Sequence, residues 1–265
     1  MSNLTIDTCI NTDSLTWMTN YNGSPFADLI FADPPFNINW KYDIYIDKKP
    51  DQEFLDWNRQ WISLAITKIL KPHGQIFICM GDEYVGDIEV MCKRELNLTP
   101  QNWLIWHYGF GQSGKLHTRK RFTKSKTHII RFSKHPTNFY FDPISIAVPS
   151  GRQTTYADKR ADPRGKCPND VFINKRIAGT HKDRVPGMTT QMPRELIRPW
   201  IISTTKPDDT IYDPFPGSGI SLIVAKELGR HFFATELSPA YAQRITKRLN
   251  EVTHNNSLSP SIPAL

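Results

Sequence analysis

Apolar and polar positions along this chain switch between two periods, and the switches mark its elements. Ala27 to Ala32 is a short run, apolar apart from Asp28, which predicts a strand. From Asp51 to Leu70, Phe54, Trp57, Trp61, Leu64 and Ala65 recur at helical spacing, which predicts an amphipathic helix with its stripe against a sheet. Lys71-Pro72-His73-Gly74 is the expected stop of that helix. Gln75 to Met80 predicts a buried strand, Glu83 to Leu96 a helix, and Asn102 to Tyr108 and Thr127 to Phe132 two further strands. Near the C-terminus, Asp209-Thr210-Ile211-Tyr212 reads as a short strand, Ile220 to Leu228 as a helix ending at Gly229, and His231 to Ala234 as a second strand. Strands alternating with helices predict an α/β fold, a mostly parallel sheet covered on both faces.

Between Pro136 and Pro216 lie 11 of the 20 prolines, and Ser150 to Met188 shows no sustained period. A stretch that irregular inside a compact domain is expected to be functional or inserted. It carries Arg152, Lys159, Arg160, Arg164 and Lys166 beside the polar residues Gln153 and Asn169. We therefore expect residues 1–265 to form a single domain with residues 136–187 as an insertion. Lys41 to Pro50 is a second candidate for a mobile loop, and 255–265 reads as a frayed tail.

Two turns carry the chemistry. Asp213-Pro214-Phe215-Pro216-Gly217-Ser218-Gly219 links a strand to a helix, the geometry that holds nucleotide-like ligands. Gly217 and Gly219 permit close backbone approach, and Ser218 offers an amide and a hydroxyl. The loop lacks the further glycine or lysine that a pyrophosphate or triphosphate would want, and Glu236 follows at the end of the next strand, where a carboxylate can take both hydroxyls of a ribose. That combination favours the nucleoside half of S-adenosylmethionine over NAD. The plainer reading of Glu236 is a cap for the helix begun by Ser238 and Pro239.

Asp33-Pro34-Pro35-Phe36 forms the other turn. The prolines remove backbone donors, so the polar groups on offer are acceptors, the Asp33 carboxylate and the Pro34 carbonyl. Two acceptors can bind the two hydrogens of an exocyclic amine and release its delocalised lone pair toward a sulfonium methyl. Phe36 would stack on the base.

Charge extends the picture to a polyanion. The net charge is +7, and Lys115, Arg119, Lys120, Arg121, Lys124 and Lys126 cluster around Phe122. Such a cluster suits DNA phosphates, although a solvated basic loop is the ordinary alternative. Cys9, Cys79, Cys92 and Cys167 form no close pair, and the histidines lack ligand spacing, so no metal site is expected. No signal peptide or membrane span is evident, and a reducing, cytoplasmic location is expected.

With these residues in place, the chain resembles the β-group amino-methyltransferases of DNA, in which Asp-Pro-Pro-(Tyr/Phe) precedes the cofactor loop. The resemblance implies a three-layer, Rossmann-like methyltransferase sheet, circularly permuted, with an inserted DNA-recognition segment. Asn11-Thr12-Asp13 resembles the Gly-Asp whose acid sits by the cofactor adenine. Met188-Thr189-Thr190-Gln191-Met192-Pro193 resembles the His-Pro-Thr-Gln-x-Pro element under the methionine half. Asp213 through Gly219, and Glu236 with Tyr241, resemble Asp-Pro-Phe-x-Gly-Ser-Gly and Glu-x-x-x-x-Tyr. The implied cofactor is S-adenosylmethionine, held by Asp13, Asp33, Gln191, Asp213, Phe215, Gly217, Ser218, Gly219 and Glu236. Asp33, Pro34, Pro35 and Phe36 are the implied catalytic residues. Double-stranded DNA is the implied substrate, with a homodimer and a cognate restriction nuclease as candidate partners. Asp rather than Ser at position 33 favours adenine N6 over cytosine N4. Methylation of RNA or of a protein glutamine, and a DNA-binding scaffold without turnover, are the other readings.

Overall fold

The computed structural model describes residues 4–109, 120–188 and 190–252. In chain order it contains β1 (Thr8–Asn11), α1 (Ser14–Asn20), β2 (Ala27–Ala32), a hairpin of β3 (Trp40–Lys41) and β4 (Ile46–Asp47), α2 (Asp51–Leu64), β5 (Leu70–Met80), α3 (Val85–Val90), β6 (Thr99–His107) and β7 (Lys126–Ser133). The second half adds α4 (Gly151–Thr154), β8 (Val171–Ile173), α5 (Arg194–Thr204), β9 (Thr210–Asp213), α6 (Ile220–Glu227), β10 (His231–Glu236) and α7 (Pro239–Glu251).

One eight-stranded sheet runs β1-β10-β9-β2-β5-β7-β6-β8. The first five of these strands are parallel to one another, and β7 is antiparallel to both neighbours. The late strand β9 pairs with the early strand β2, with Leu29 opposite Ile211 and Ile30 opposite Tyr212. That pairing sets the carboxyl ends of the two strands side by side, although nearly the whole sequence separates them.

Alternation along the strands divides the core in two. Ile30, Ala32, Ile76, Ile78, Tyr212 and Phe233 face the layer of α1, α2 and α3, where Met18, Phe54, Trp61 and Ile88 are buried. Leu29, Phe31, Phe77, Ile211 and Phe232 face α5, α6 and α7, which bury Leu196, Trp200, Ile223 and Ile245. Helices on both faces force the central strands to be apolar on both sides, and all six residues of β2 are buried.

Two boundaries differ from the expected ones. The helix begun at Asp51 ends in a π turn over Ala65–Ile69, and β5 begins at Leu70, so Lys71-Pro72-His73-Gly74 lies inside the strand rather than ending the helix. The pairing register of β2 with β5 slips there. The bulge is held by the buried Asp28 carboxylate, which takes Lys71 Nζ at 2.7 Å, His73 Nε2 at 3.1 Å and the Thr210 amide at 2.9 Å. The helix expected over Glu83 to Leu96 is α3 followed by a second π turn, Met91–Glu95, and β6 starts at Thr99, ahead of the expected Asn102.

The irregular segment is joined to the sheet edge by β8, which pairs with β6. Phe172 sets its ring edge-on to Trp200 at 5.4 Å, and Trp106 Nε1 donates to the Asn174 carbonyl at 2.7 Å. Gln153 is already engaged: it completes a capping box with Ser150 and donates to the Asp162 carbonyl. Asn169 accepts from Lys166 at 3.0 Å.

Candidate active site

The turn after β9 is shaped by its own acid. Asp213 is buried; one carboxylate oxygen accepts the Phe215 amide at 2.9 Å and the other accepts the Ser221 hydroxyl one turn into α6. Phe215 packs against α2, with its ring 5.6 Å from Trp57 and 5.2 Å from Trp61. Gly219 caps α6 at φ +74, and a Cβ there would lie 3.0 Å from Ile245 Cγ1. Gly217, at φ +50, has open space where a Cβ would sit. The loop therefore presents bare backbone to a ligand at Gly217 and is wedged against α7 at Gly219.

Glu236 stands across this loop. Its carboxylate accepts the Gly217 amide at 3.2 Å and the Ser238 amide at 2.8 Å, so it joins the glycine turn to the start of α7. Its carbonyl accepts from Asn11 Nδ2 at 2.8 Å and the Thr12 amide at 3.0 Å. Beneath it runs a chain of hydroxyls absent from the sequence reading: Tyr212 donates to Thr235, Thr235 to Ser14, and Ser14 to the Pro214 carbonyl. Their only sequence signal was polarity inside otherwise apolar elements. Asp13 caps α1 through Thr16 at 2.7 Å and is exposed. Gln191 is buried, with its amide group engaged by the Val185 amide and the Asp183 carbonyl, so it anchors the end of the irregular segment.

The turn after β2 owes its shape to a residue the sequence reading missed. Asp47 is fully buried, and its carboxylate accepts the amides of Asn37 at 2.8 Å and Ile38 at 3.1 Å. Asn37 and Asn39 both sit at φ +60, and Asn37 also bonds Lys49 and Tyr84. These bonds fix the chain beyond Phe36, whose ring lies against Gly81 at the end of β5, 3.5 Å from where a Cβ would be. Asp33 is half-buried, and among the described residues nothing donates to its carboxylate. The expected mobile loop over Lys41 to Pro50 is the β3–β4 hairpin, and its Asp43 accepts from Ser238 at 2.6 Å.

Acids dominate the electrostatics. Burial pushes Asp33 up to about 7, and the Asp213 charge adds to the effect. Burial also raises Asp213 to about 7, reinforced by Glu236 and opposed by the bonds from Ser221 and Phe215. Glu236 is raised to about 7 by burial, with Asp43 adding and the Ser238 and Gly217 amides opposing. Desolvated, mutually repelling carboxylates favour a cationic ligand. Cys9, half-buried nearby, is pushed up to about 12 and stays a thiol.

Of the basic cluster, Lys115 and Arg119 lie outside the described residues. Lys120, Arg121 and Phe122 are exposed, while Lys124 pairs with Glu83 and Lys126 with Asp82 at 3.0 Å. Asp82 also holds His128 Nε2 at 2.7 Å, which ties the base of this loop to the residues after β5.

A glycine turn and an acid on the adjoining strand, at the carboxyl edge of a parallel sheet with an acidic Pro-Pro turn beside them, have the arrangement of a Rossmann-like methyltransferase site. The chain belongs to the N6/N4 DNA methylase family, whose model, described as DNA methylase, matches residues 27–248. It is 30% identical over 254 residues to the type II methyltransferase M.BglII of Bacillus subtilis, covering 90% of this chain and 68% of that one. To the DNA adenine methyltransferase YhdJ of Escherichia coli it is 28% identical over 235 residues, covering 86% and 78%. The fold matches the solved PvuII cytosine-N4-specific DNA methyltransferase with a TM-score of 0.70 at 18% identity, covering 96% of this chain and 89% of the other. The protein is a DNA methyltransferase, and S-adenosylmethionine is its family's cofactor. The acid-rich pocket and the open face of Gly217 fit that cationic nucleoside.

Proposed function

We propose that this protein methylates N6 of an adenine in duplex DNA, after the nucleotide has rotated out of the helix. The observation that carries the reading is the β2–β9 pairing, which brings the Asp33 turn beside the Asp213 turn while no described group donates to the Asp33 carboxylate. Rotation is required because the amine lies on the Watson-Crick edge, inside the duplex. Asp33 and the Pro34 carbonyl accept the two amine hydrogens, Pro35 keeps the turn rigid, and Phe36 stacks on the base. A carboxylate poised at about 7 can also receive the proton the nitrogen must lose.

When bound, S-adenosylmethionine supplies the electrophilic methyl on its sulfonium. Glu236 would take the ribose hydroxyls, and the backbone of Phe215, Gly217, Ser218 and Gly219 would line the nucleoside. Asp213 holds that loop in shape. Asp13 and Gln191 support the pocket from α1 and from the start of α5, since each already has a backbone partner. Asp33 completes the acidic lining. Residues 136–187 stand as the inserted segment that reads the DNA sequence, and Lys120 and Arg121 as phosphate contacts.

The test is transfer of labelled methyl from the cofactor to DNA, RNA and protein in parallel, followed by digestion of the DNA and mass spectrometry of its nucleosides. N6-methyladenine is expected. N4-methylcytosine would reassign the base, and label in RNA or protein alone would overturn the reading.

A further inference from the structure

The hairpin that leaves the catalytic turn combines engaged acids with exposed apolar side chains. The buried Asp47 holds the amides of Asn37 and Ile38, and the exposed Asp43 accepts from Ser238. Tyr42 donates its amide to the Tyr45 carbonyl and closes the tip. Large apolar side chains are exposed along the same stretch, with Ile38 52%, Trp40 40%, Ile44 58% and Ile46 58% exposed. Lys41 and Lys48 are exposed along the same stretch. So dense an apolar surface on a short hairpin marks a contact surface, and of the exposed charges along it Lys41 and Lys48 are positive while Asp43 is engaged by Ser238.

What covers this surface follows from its place. Ile38 comes directly after Phe36 and Asn37, so the surface is continuous with the turn that would receive an extruded base. A duplex that has lost a base from its stack presents an apolar gap flanked by phosphates, and that gap matches apolar side chains between lysines. We propose that the β3–β4 hairpin enters the DNA beside the extruded nucleotide, with Ile38 and Ile46 filling the gap and Lys41 and Lys48 on the neighbouring phosphates. The inference rests on the base extrusion in the function proposed above. The bonds from Asp47 and Asp43 keep the wedge rigid.

The test uses the full chain carrying Ile38→Ala and Ile46→Ala together. Both side chains are more than half exposed, and what these two residues give the hairpin comes from backbone, the Ile38 amide to Asp47 and the Ile46 carbonyl to the Lys48 amide, so thermal midpoint and cofactor affinity should match the wild type. Two duplexes carrying the methylated site are compared, one intact and one with an abasic position opposite the target, where extrusion is easier. The double variant should lose at least about tenfold in kcat/KM on the intact duplex and stay within about threefold of wild type on the abasic one. Equal losses on both duplexes, or none on the intact one, would overturn the wedge. A wild-type dimer that the variant dissolves in light scattering would also overturn it and assign the surface to a second copy. Wild-type protein that methylates no DNA would refute the extrusion itself, whereas an active wild type with an unaffected variant refutes the wedge alone.

Discussion

Replacing Asp213 with Asn should make the ligand-free protein more stable in alkali and not in acid. Asp213 is buried, and its carboxyl is pushed from 3.8 to about 7. The folded state therefore keeps a proton that the unfolded chain releases between pH 4 and 7. Wild-type stability falls as pH rises through that window, and the penalty is complete above it. At about 1.4 kcal/mol for each pKa unit, the ceiling is about 4 kcal/mol. Asn keeps the shape and can still accept the Phe215 amide while donating to Ser221, so the pH-independent loss is about 1 kcal/mol. The variant should then be about 2–3 kcal/mol more stable than wild type near pH 8.5 and level or slightly weaker near pH 4. Urea unfolding of both proteins at the two pH values measures the difference, in which the titrations of Asp33 and Glu236 largely cancel. A ΔΔG that is the same at both pH values would show that Asp213 acts through its hydrogen bonds and not through its buried charge. Cofactor affinity should fall in the variant even where its stability rises, because the pocket has lost an anion.

Asp33→Ala should lower turnover by about a thousandfold or more and leave cofactor affinity within a few-fold by calorimetry; full activity would remove Asp33 from the mechanism. Gly219→Ala forces a side chain into φ +74 and against Ile245, and should cost about 1–3 kcal/mol in chemical denaturation; wild-type stability would contradict the strain. Asp47→Ala unpairs the amides of Asn37 and Ile38, so kcat should drop about tenfold or more while cofactor binding holds; an unchanged kcat would show that the turn needs no such brace.

Much of the site was legible in the sequence because its chemistry is local. Asp33 to Phe36 and Asp213 to Gly219 are short contiguous turns whose prolines and glycines restrict the backbone locally, and the strands before them are mostly apolar. Lys71 to Gly74 misled because a proline and a glycine after a helix ordinarily end an element, whereas Asp28, far away in sequence, gathers Lys71 and His73 into a strand bulge. Asp47 carried no local signal, since its value lies in amides across the hairpin. Gln153 looked like a free polar reader until the fold spent it on Ser150 and Asp162.

The sequence by itself determined the alternation of elements, the two turns and the candidate residues they carry, because each depends on neighbours within a few positions. Only the tertiary structure decided that β9 lies against β2, that Ser14, Thr235 and Tyr212 form one chain of hydroxyls, and that Asp33, Asp213 and Glu236 are all desolvated, with Asp213 in electrostatic reach of the other two. Strand pairing and burial are long-range quantities: the same carboxylates spaced along an extended chain would titrate independently at ordinary values, and burial in the fold, with neighbouring charges adding, raises them together.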